Sequence, residues 1–216
     1  MTEESFRNDR GGVIVLTIAK TIQDNAAMLS DIDGAIGDGD HGINMKKGFT
    51  VAAERLNGKQ AGLYDSLWLL GTVLLTEIGG SMGPLYGTMF REMAKPIKES
   101  ESIDADSFGT MIQSALDAIT RLGGAKIGDK TLVDTLDPAV NAFRAAISAG
   151  KKFSDGLSAM SEAAENGKES TRDLVAKIGR SARLGERSRG VLDAGATSCW
   201  LILGSMADSM QLLLTS

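Results

Sequence analysis

Three aspartates and the chain's single histidine lie within nine residues of one another, at Asp33, Asp38, Asp40 and His41. Carboxylates this close repel one another unless a cation lies between them. Carboxylate oxygens are the ligands that hard divalent ions such as Mg²⁺ prefer in proteins. Glycines interspersed through residues 34–42 let the backbone approach a ligand closely. We therefore predict that Asp33, Asp38 and Asp40 hold one or more divalent cations.

Other interpretations of this acidic segment fit less well. A calcium EF-hand needs Gly at loop position six and Glu at position twelve, but counting from Asp38 these positions hold Ile43 and Phe49. Zinc is disfavoured because the chain has no second histidine and no cysteine near His41. The remaining alternative is a solvated acidic turn whose aspartates cap helices. The adjoining histidine and the apolar neighbours favour the cation site, with His41 as a phosphate or nucleotide contact.

Two glycine-rich segments are candidates for binding phosphate. Residues 78–84 read Ile-Gly-Gly-Ser-Met-Gly-Pro, and such a segment at the start of a helix can present backbone N–H groups to an anion. A plain connection between helices is the alternative. Residues 123–131 come close to a P-loop, but Asp129 stands where lysine should follow the glycine, and no apolar strand precedes it. A Walker-type NTPase is therefore disfavoured. Either Gly128 and Thr131 line a ligand, or Asp129 caps the helix that starts at Thr131.

An arginine-rich segment supplies positive charge. Residues 180–189 contain four arginines in a protein of net charge −5, which predicts a local anion-attracting patch. A solvated face with ion pairs to Glu186 is the alternative for most of them. Hard-metal ligands, glycine-rich segments and arginine are together what phosphoryl transfer requires. A Ser-His-Asp site is not supported, because the one histidine lies in the acidic segment.

The spacing of apolar residues predicts helices that position these segments. Three prolines in 216 residues leave long stretches free to be helical, and there is little alternation of β-branched residues. We predict one all-α domain over residues 1–216, an antiparallel up-and-down bundle in which several glycine-rich connections share one end. The predicted helices are 13–29, 45–56, 63–78, 84–95, 105–122 after a capped start at 102–106, 131–149, 153–167, 171–182 and 195–214.

Composition limits the classes of function. Hydrophobic residues make up 43% and charged residues 24%, which is typical of a globular protein. The mildly acidic balance argues against nucleic acid or an anionic membrane as the main partner. Cys199, the only cysteine, excludes an intramolecular disulfide, and its apolar neighbours predict a buried, inert thiol. The first residues lack a signal-peptide pattern, and the apolar stretch 199–214 is too short and polar to span a membrane. We expect a soluble, cytoplasmic protein.

Four motifs in order resemble those of the nucleotide-binding L subunits of dihydroxyacetone kinases. They are residues 37–45 (Gly-Asp-Gly-Asp-His-Gly-Ile-Asn-Met), 79–87, 128–131, and 184–188 continuing to 193–197. The resemblance extends over essentially the whole chain. It implies a closed barrel of eight antiparallel helices with the nucleotide, ADP or ATP, at one rim.

The resemblance also implies the site residues. Asp33, Asp38 and Asp40 match the family's three-aspartate motif, which holds two Mg²⁺ ions that bridge the nucleotide phosphates. Ser81 precedes Met82 here, whereas the family often has a small residue and then Ser. We therefore expect backbone N–H groups, rather than the hydroxyl, to contact phosphate at this segment. The implied nucleotide contacts are His41, Gly42, Ile43, Asn44, Gly80, Ser81, Met82, Gly124, Leu132, Arg180, Asp193 and Gly195.

The family includes ATP-dependent kinases that fuse this domain to a substrate-binding K domain, and phosphotransferase-system kinases in which it is a separate subunit. A chain of 216 residues resembles the second kind. ADP then stays bound as a coenzyme, is rephosphorylated by a phosphohistidine donor protein, and passes the phosphoryl group to dihydroxyacetone on the partner K subunit. The histidine that binds the acceptor belongs to that partner, so no residue here is given a catalytic role. A regulatory nucleotide-binding module and a kinase for another triose or tetrose are the alternatives, and homodimerisation and a lipid in the barrel stay open.

Overall fold

Nine α-helices account for most of residues 4–215, the part of the chain that this computed structural model describes. Residues 1–3 and 216 of the predicted domain, including most of the segment compared with a signal peptide, lie outside that part. Two three-residue strands, β1 (Ser5–Arg7) and β2 (Ser102–Asp104), pair antiparallel. The helices are α1 (Gly12–Asp24), α2 (Ala26–Ile36), α3 (His41–Leu56), α4 (Leu63–Glu77), α5 (Met82–Ala94), α6 (Ala105–Gly123), α7 (Val133–Ser148), α8 (Phe153–Ser170) and α9 (Ala194–Leu214).

The helices form a closed ring. From α3 to α9 each helix packs on the next, and α9 packs on α1, which in turn packs on α3. The ends of α2 and α6 and the beginnings of α3, α5 and α9 all line one cavity, so neighbouring helices run in opposite directions. The predicted all-α barrel of antiparallel helices is confirmed, with α1 and α2 together forming one of eight positions.

The helix predicted over residues 13–29 is interrupted. Asn25 leaves the helical conformation (φ −102°, ψ 7°), and its side-chain amide donates to the Thr21 carbonyl oxygen at 2.8 Å. Asparagine ends helices in this way because its side chain competes for backbone groups. The second helix, α2, then continues through Asp33 to Ile36. Asp33 therefore lies on a helix and not in the loop that the sequence predicted.

The prediction of a helix over 171–182 is wrong. Thr171–Asp173 forms a single 3-10 turn, and 3-10 structure resumes only at Ser181–Ser188. Between them the backbone bonds to other parts of the chain: Ala176 N–H donates to Ser188 Oγ at 2.9 Å, and Lys177 N–H to the Asp129 carbonyl at 3.1 Å. Long-range bonds replace the helical ladder here.

Aromatic side chains pack together inside the ring near the beginning of α6 and α8. Phe108, Phe143 and Phe153 are buried in mutual contact, with ring centroids 5.0 to 5.9 Å apart. Burying a side chain of this size contributes about 1.5–3 kcal/mol. Helix α6 begins at the predicted capped start, where Asp104 Oδ1 accepts the Ser107 N–H at 2.8 Å and Ser107 Oγ accepts the Asp104 N–H. This capping box fixes the beginning of α6, the opposite end of the helix from Gly123, which lines the cavity.

Candidate functional site

A cavity of about 660 Å³ lies at the end of the ring where the glycine-rich connections meet. Each of the four connections named from the sequence contributes residues to its wall, as the predicted topology requires. Twelve of the fifteen predicted site residues line it. They are Asp33, Asp38, Asp40, His41, Asn44, Gly80, Ser81, Met82, Leu132, Arg180, Asp193 and Gly195.

The three predicted metal ligands come together. Asp33 is on the last turn of α2, and Asp38 and Asp40 are on the short connection to α3, so that one carboxylate oxygen of each lies within 4.8 Å of the others. Asp40 occupies the N-cap position of α3 without a side-chain capping bond, whereas Asp33 Oδ2 accepts the His41 N–H at 3.3 Å. A purely capping role therefore leaves two of the carboxylates unexplained. An all-oxygen, triply anionic set fits Mg²⁺.

Arg180, from a distant part of the chain, contacts this acidic cluster. Its guanidinium contacts the Asp38 carboxylate and lies 3.6 Å from that of Asp40. The Arg180 side chain is 56% exposed and stands at the cavity wall. The cavity thus presents a guanidinium beside three carboxylates, which suits a ligand that carries both anionic groups and metal ions.

His41 is part of a buried hydroxyl network and not an isolated cation. Its Nε2 lies 2.9 Å from Ser198 Oγ, which is 2.6 Å from the Tyr86 hydroxyl. The Tyr86 hydroxyl also donates to the Gly195 carbonyl oxygen at 2.9 Å. Burial lowers the pKa of His41 to about 4, although the charge of Asp33 acts in the opposite direction. The imidazole is therefore neutral near pH 7, and the network joins the beginnings of α3, α5 and α9.

Three predicted contacts are not in the cavity wall. Gly42 is buried against α2, where an added Cβ would meet the Ser30 backbone N at 2.8 Å. Ile43 is 67% exposed outside the wall. Gly124 takes a left-handed conformation (φ 64°) that ends α6, and Gly123 lines the cavity in its place. Close helix packing and helix termination explain Gly42 and Gly124.

The beginning of α5 forms the wall next to the acidic cluster. Gly80 has a φ of 72°, a conformation that glycine adopts without strain, and α5 begins at Met82. Ser81 occupies the N-cap position but makes no side-chain capping bond. The backbone N–H groups of this first turn therefore have no side-chain cap, which is the arrangement that a phosphate can use.

The loop before α7 is organised by Asp134 and not by Asp129. Asp134 accepts the N–H of Gly128 at 2.5 Å and that of Thr131 at 2.7 Å, while Asp129 accepts the Lys126 N–H at 2.8 Å. The alternative in which Asp129 caps the helix is therefore wrong. Thr131 and Leu132 line the cavity, and Gly128 does not.

Asp193 is the N-cap residue of α9. Its Oδ2 accepts the Ala196 N–H at 2.7 Å. Burial raises the pKa of Asp193 to about 6, although the Ala196 N–H and the nearby Lys130 ammonium lower it. Asp193 is thus a buried carboxyl group whose charge is only partly compensated by its neighbours.

The sequence did not single out three residues that organise this site: Tyr86, Ser198 and Lys130. The two hydroxyl groups join helices that are far apart in the chain. Lys130 is 1% exposed and lies in the cavity wall; burial lowers its pKa, and Asp193 raises it. Only the placement of Lys130 beside glycine-rich residues was visible in the sequence.

Two expectations outside the cavity can be compared with the structure. Cys199 is fully buried, and burial raises the pKa of its thiol, as expected of an inert side chain. Within residues 4–215, no helix is both long enough and apolar enough to cross a membrane.

Comparison with known proteins finds relatives among kinases of dihydroxyacetone and erythrulose. The DAK2 domain family matches residues 35–208. The ADP-binding subunit DhaL of PEP-dependent dihydroxyacetone kinase 1 from Listeria innocua is 38% identical over 189 residues, which are 87% of this chain and 89% of that protein. A D-erythrulose kinase from Mycolicibacterium smegmatis is 32% identical over 198 residues, 90% of this chain but 34% of the relative. The crystal structure of the C. freundii dihydroxyacetone kinase with AMP-PNP and Mg²⁺ superposes with a TM-score of 0.70 at 25% identity, covering 94% of this chain and 34% of that one.

Proposed function

Because this chain belongs to the DAK2 domain family, we propose that it is the ADP-binding subunit of a phosphotransferase-system dihydroxyacetone kinase. One observation carries the proposal: three carboxylates with oxygens within 4.8 Å of one another stand in the wall of a cavity of about 660 Å³. That volume is within the range of small-molecule sites. The ADP-binding relatives match this chain over nearly its whole length, which supports the same role here.

Asp33, Asp38 and Asp40 would hold Mg²⁺, and we propose two ions, as the family resemblance implies. When bound, such ions neutralise the charge of the nucleotide phosphates and orient them. The carboxylates come from the end of α2 and the connection to α3, two backbone segments that the Asp33–His41 hydrogen bond joins. This bond holds the ligands at a fixed spacing.

Backbone groups and one arginine would bind the phosphates. The first turn of α5 lacks a side-chain cap, and α3 and α9 also begin at the cavity. N–H groups at helix beginnings favour anions. The Arg180 guanidinium supplies positive charge in the cavity wall, beside the carboxylates. His41 is neutral near pH 7, so it contributes hydrogen bonding and shape instead of charge.

The apolar part of the cavity would receive the adenine. Leu85, Leu122, Leu132 and Ile178 also line the cavity. Ligand sites commonly combine such apolar contacts with a few polar groups that fix the orientation of the ligand. The nucleotide would therefore lie with its phosphates toward Asp33 and its base toward Leu132.

Partners would supply the chemistry that this chain lacks. The Nε2 of its histidine is hydrogen-bonded to the Ser198 hydroxyl and its cysteine is fully buried, so we give neither a role as a nucleophile. We propose that a K subunit binds the acceptor and that a phosphohistidine protein recharges the bound ADP in the cytoplasm. Leu122 (53% exposed), in the cavity wall, and Ile43 (67% exposed), next to the wall residue Asn44, would form part of the apolar rim that these partners cover.

A kinase for a four-carbon ketose is the second candidate. The D-erythrulose kinase from Mycolicibacterium smegmatis contains a region 32% identical to this chain. Since the acceptor would be bound by the partner, the cavity described here serves both substrates equally. Exchange of the K subunit, with this chain kept constant, distinguishes the two.

The test begins with protein purified without added nucleotide. After denaturation, released nucleotide is measured by chromatography and magnesium by elemental analysis. We expect near-stoichiometric ADP with about two magnesium ions per chain, as two-metal phosphoryl clamps require. The Asp38→Ala variant should lose both, and a kinase reconstituted with it should be inactive. Binding of neither ADP nor ATP by the wild type, or full kinase activity without this chain, would refute the proposal.

A further inference from the structure

Lys130 is a buried lysine whose ammonium group is surrounded by backbone carbonyls. The residue is 1% exposed, and Nζ donates to the carbonyl oxygens of Thr171 at 2.7 Å, Leu174 at 3.3 Å and Val191 at 2.5 Å. The ion pairs found among residues 4–215 do not include it. Buried lysines are uncommon unless a partner is present. Here three neutral oxygens take the place of a carboxylate.

The backbone of Lys130 indicates that its side chain is needed. Its φ is 63°, and it is the one non-glycine residue with a positive φ in the described part of the chain. Glycine adopts this conformation without strain, whereas a lysine does not. Such outliers persist where surrounding contacts hold them in place. The three hydrogen bonds of the ammonium are contacts of this kind.

The carbonyls that Lys130 binds lie at both ends of one irregular segment. Thr171 and Leu174 begin it, and Val191 ends it, three residues before the first residue of α9. Between them the chain contains only short 3-10 turns, and it carries Arg180 into the cavity wall. Asp193, the N-cap residue of α9, lies two residues after Val191. A segment without helical hydrogen bonds depends on tertiary contacts for its position.

We propose that Lys130 is a positioning residue for nucleotide binding: its ammonium ties the two ends of residues 171–191 together and thereby holds Arg180 and Asp193 at the cavity. This inference rests on the proposed nucleotide-binding function. An ammonium group has three N–H donors, which matches the three carbonyls. Joining the ends of a loop also removes much of its conformational freedom.

A matched pair of variants tests the inference. Lys130→Met keeps the length of the side chain and removes the ammonium. Lys177→Met is the control, because Lys177 lies within the same segment and pairs with Asp129 at 3.4 Å, but its side chain is 62% exposed. Dissociation constants for ADP with Mg²⁺ are measured by titration calorimetry, and hydrogen exchange is followed in the absence of nucleotide.

We expect Lys130→Met to weaken ADP binding about tenfold, because the binding-competent arrangement of the segment would be populated about a tenth of the time. Exchange should become faster in residues 172–192 while the amides of α4 and α5 keep their protection. Lys177→Met should change the dissociation constant by less than about twofold, as expected of an exposed ion pair.

Chemical rescue covers the case in which Lys130→Met folds poorly. Lys130→Cys in a Cys199→Ala background has a single thiol, and alkylation with 2-bromoethylamine restores an ammonium of nearly the same reach. Rescue of ADP affinity by this reagent, but not by iodoacetamide, is expected. Equal affinities for wild type and a folded Lys130→Met, or loss of protection throughout the protein, would overturn the inference. Failure of the wild type itself to bind ADP would refute the proposed function instead, while the exchange data would still test the tether.

Discussion

Replacing Asp38 with asparagine should stabilise the protein without Mg²⁺ and destabilise it with Mg²⁺. The variant keeps the size of the side chain and removes one of three negative charges that lie within 4.8 Å of one another. At that separation, in a water-like dielectric, each pair of carboxylates costs about 0.9 kcal/mol. Asp38 takes part in two such pairs, so its charge costs about 2 kcal/mol.

The contact with Arg180 offsets part of this repulsion. The Asp38 and Arg180 side chains are 46% and 56% exposed, and an ion pair with that exposure contributes at most about 1 kcal/mol. In EDTA, Asp38→Asn should therefore raise the free energy of unfolding by about 1 kcal/mol.

Magnesium reverses the order. At one hundred times its dissociation constant, a ligand of the folded state stabilises the wild type by about 2.7 kcal/mol. If the substitution weakens binding about a hundredfold, the same Mg²⁺ concentration adds only about 0.4 kcal/mol to the variant. The wild type should then be the more stable protein by about 1 kcal/mol.

Urea unfolding with tryptophan fluorescence, in EDTA and in excess Mg²⁺, measures all four free energies. Asp31→Asn is the control, because Asp31 is an exposed carboxylate of α2 outside the acidic cluster. Asp31→Asn should change the free energy of unfolding by no more than about 0.5 kcal/mol, either in EDTA or in excess Mg²⁺. An equal Mg²⁺ gain in wild type and Asp38→Asn would refute the assignment of Asp38 as a ligand. A loss of stability in EDTA would show instead that this carboxylate has a structural role.

Three further substitutions have defined outcomes in urea unfolding. Gly42→Ala should cost about 1–3 kcal/mol, because the new methyl would overlap the backbone of α2. Tyr86→Phe should cost about 1 kcal/mol, since the buried hydroxyl bonds to Gly195 and Ser198 are lost. Asp193→Asn should gain stability relative to wild type as the pH rises from about 4 to 6. The pKa of Asp193 is raised in the folded state (about 6, against 3.8), so the folded wild type binds this proton more tightly than the unfolded chain does. The wild type therefore loses stability when the proton leaves, and the variant does not. The gain reaches about 3 kcal/mol at most above pH 6.

Each of these three substitutions has a control variant or an outcome that would contradict the prediction. Gly109→Ala, in α6, has room for the methyl and should be neutral or slightly stabilising. Tyr64→Phe, on a ring that stacks on Trp68, should have little effect. For Asp193→Asn, a difference from wild type that does not change with pH would show that Asp193 is already charged at pH 4.

Local patterns were sufficient for the parts of the fold that depend on neighbours in the chain. The apolar runs that became α4 and α9 and the capped start of α6 were predicted to within a few residues. The acidic cluster was also visible, since its three carboxylates lie within eight residues. In these cases, the residues that interact are close in sequence.

The remaining features depend on contacts that no local pattern contains. The helix predicted over 171–182 does not form, because its backbone makes hydrogen bonds with Asp129 and Ser188 instead. The burial of Lys130 depends on carbonyl groups more than forty residues away. The Tyr86 hydroxyl bonds to Gly195, 109 residues along the chain. A sequence also cannot show that Gly42 meets α2, because this is a property of how two helices cross.

The helix beginnings around the cavity have a thermodynamic consequence. Three helices, α3, α5 and α9, direct their positive ends to a space that also contains three carboxylates. Metal ions bound alone would be repelled by the positive ends of the helices, and a polyphosphate bound alone would be repelled by the carboxylates. Binding of either one is therefore unfavourable until the other is present. Mg²⁺ should therefore increase affinity for ADP, and ADP should increase affinity for Mg²⁺ by the same factor, as reciprocity of linked binding requires. The two components would then leave together as well, so that withdrawing magnesium releases the coenzyme.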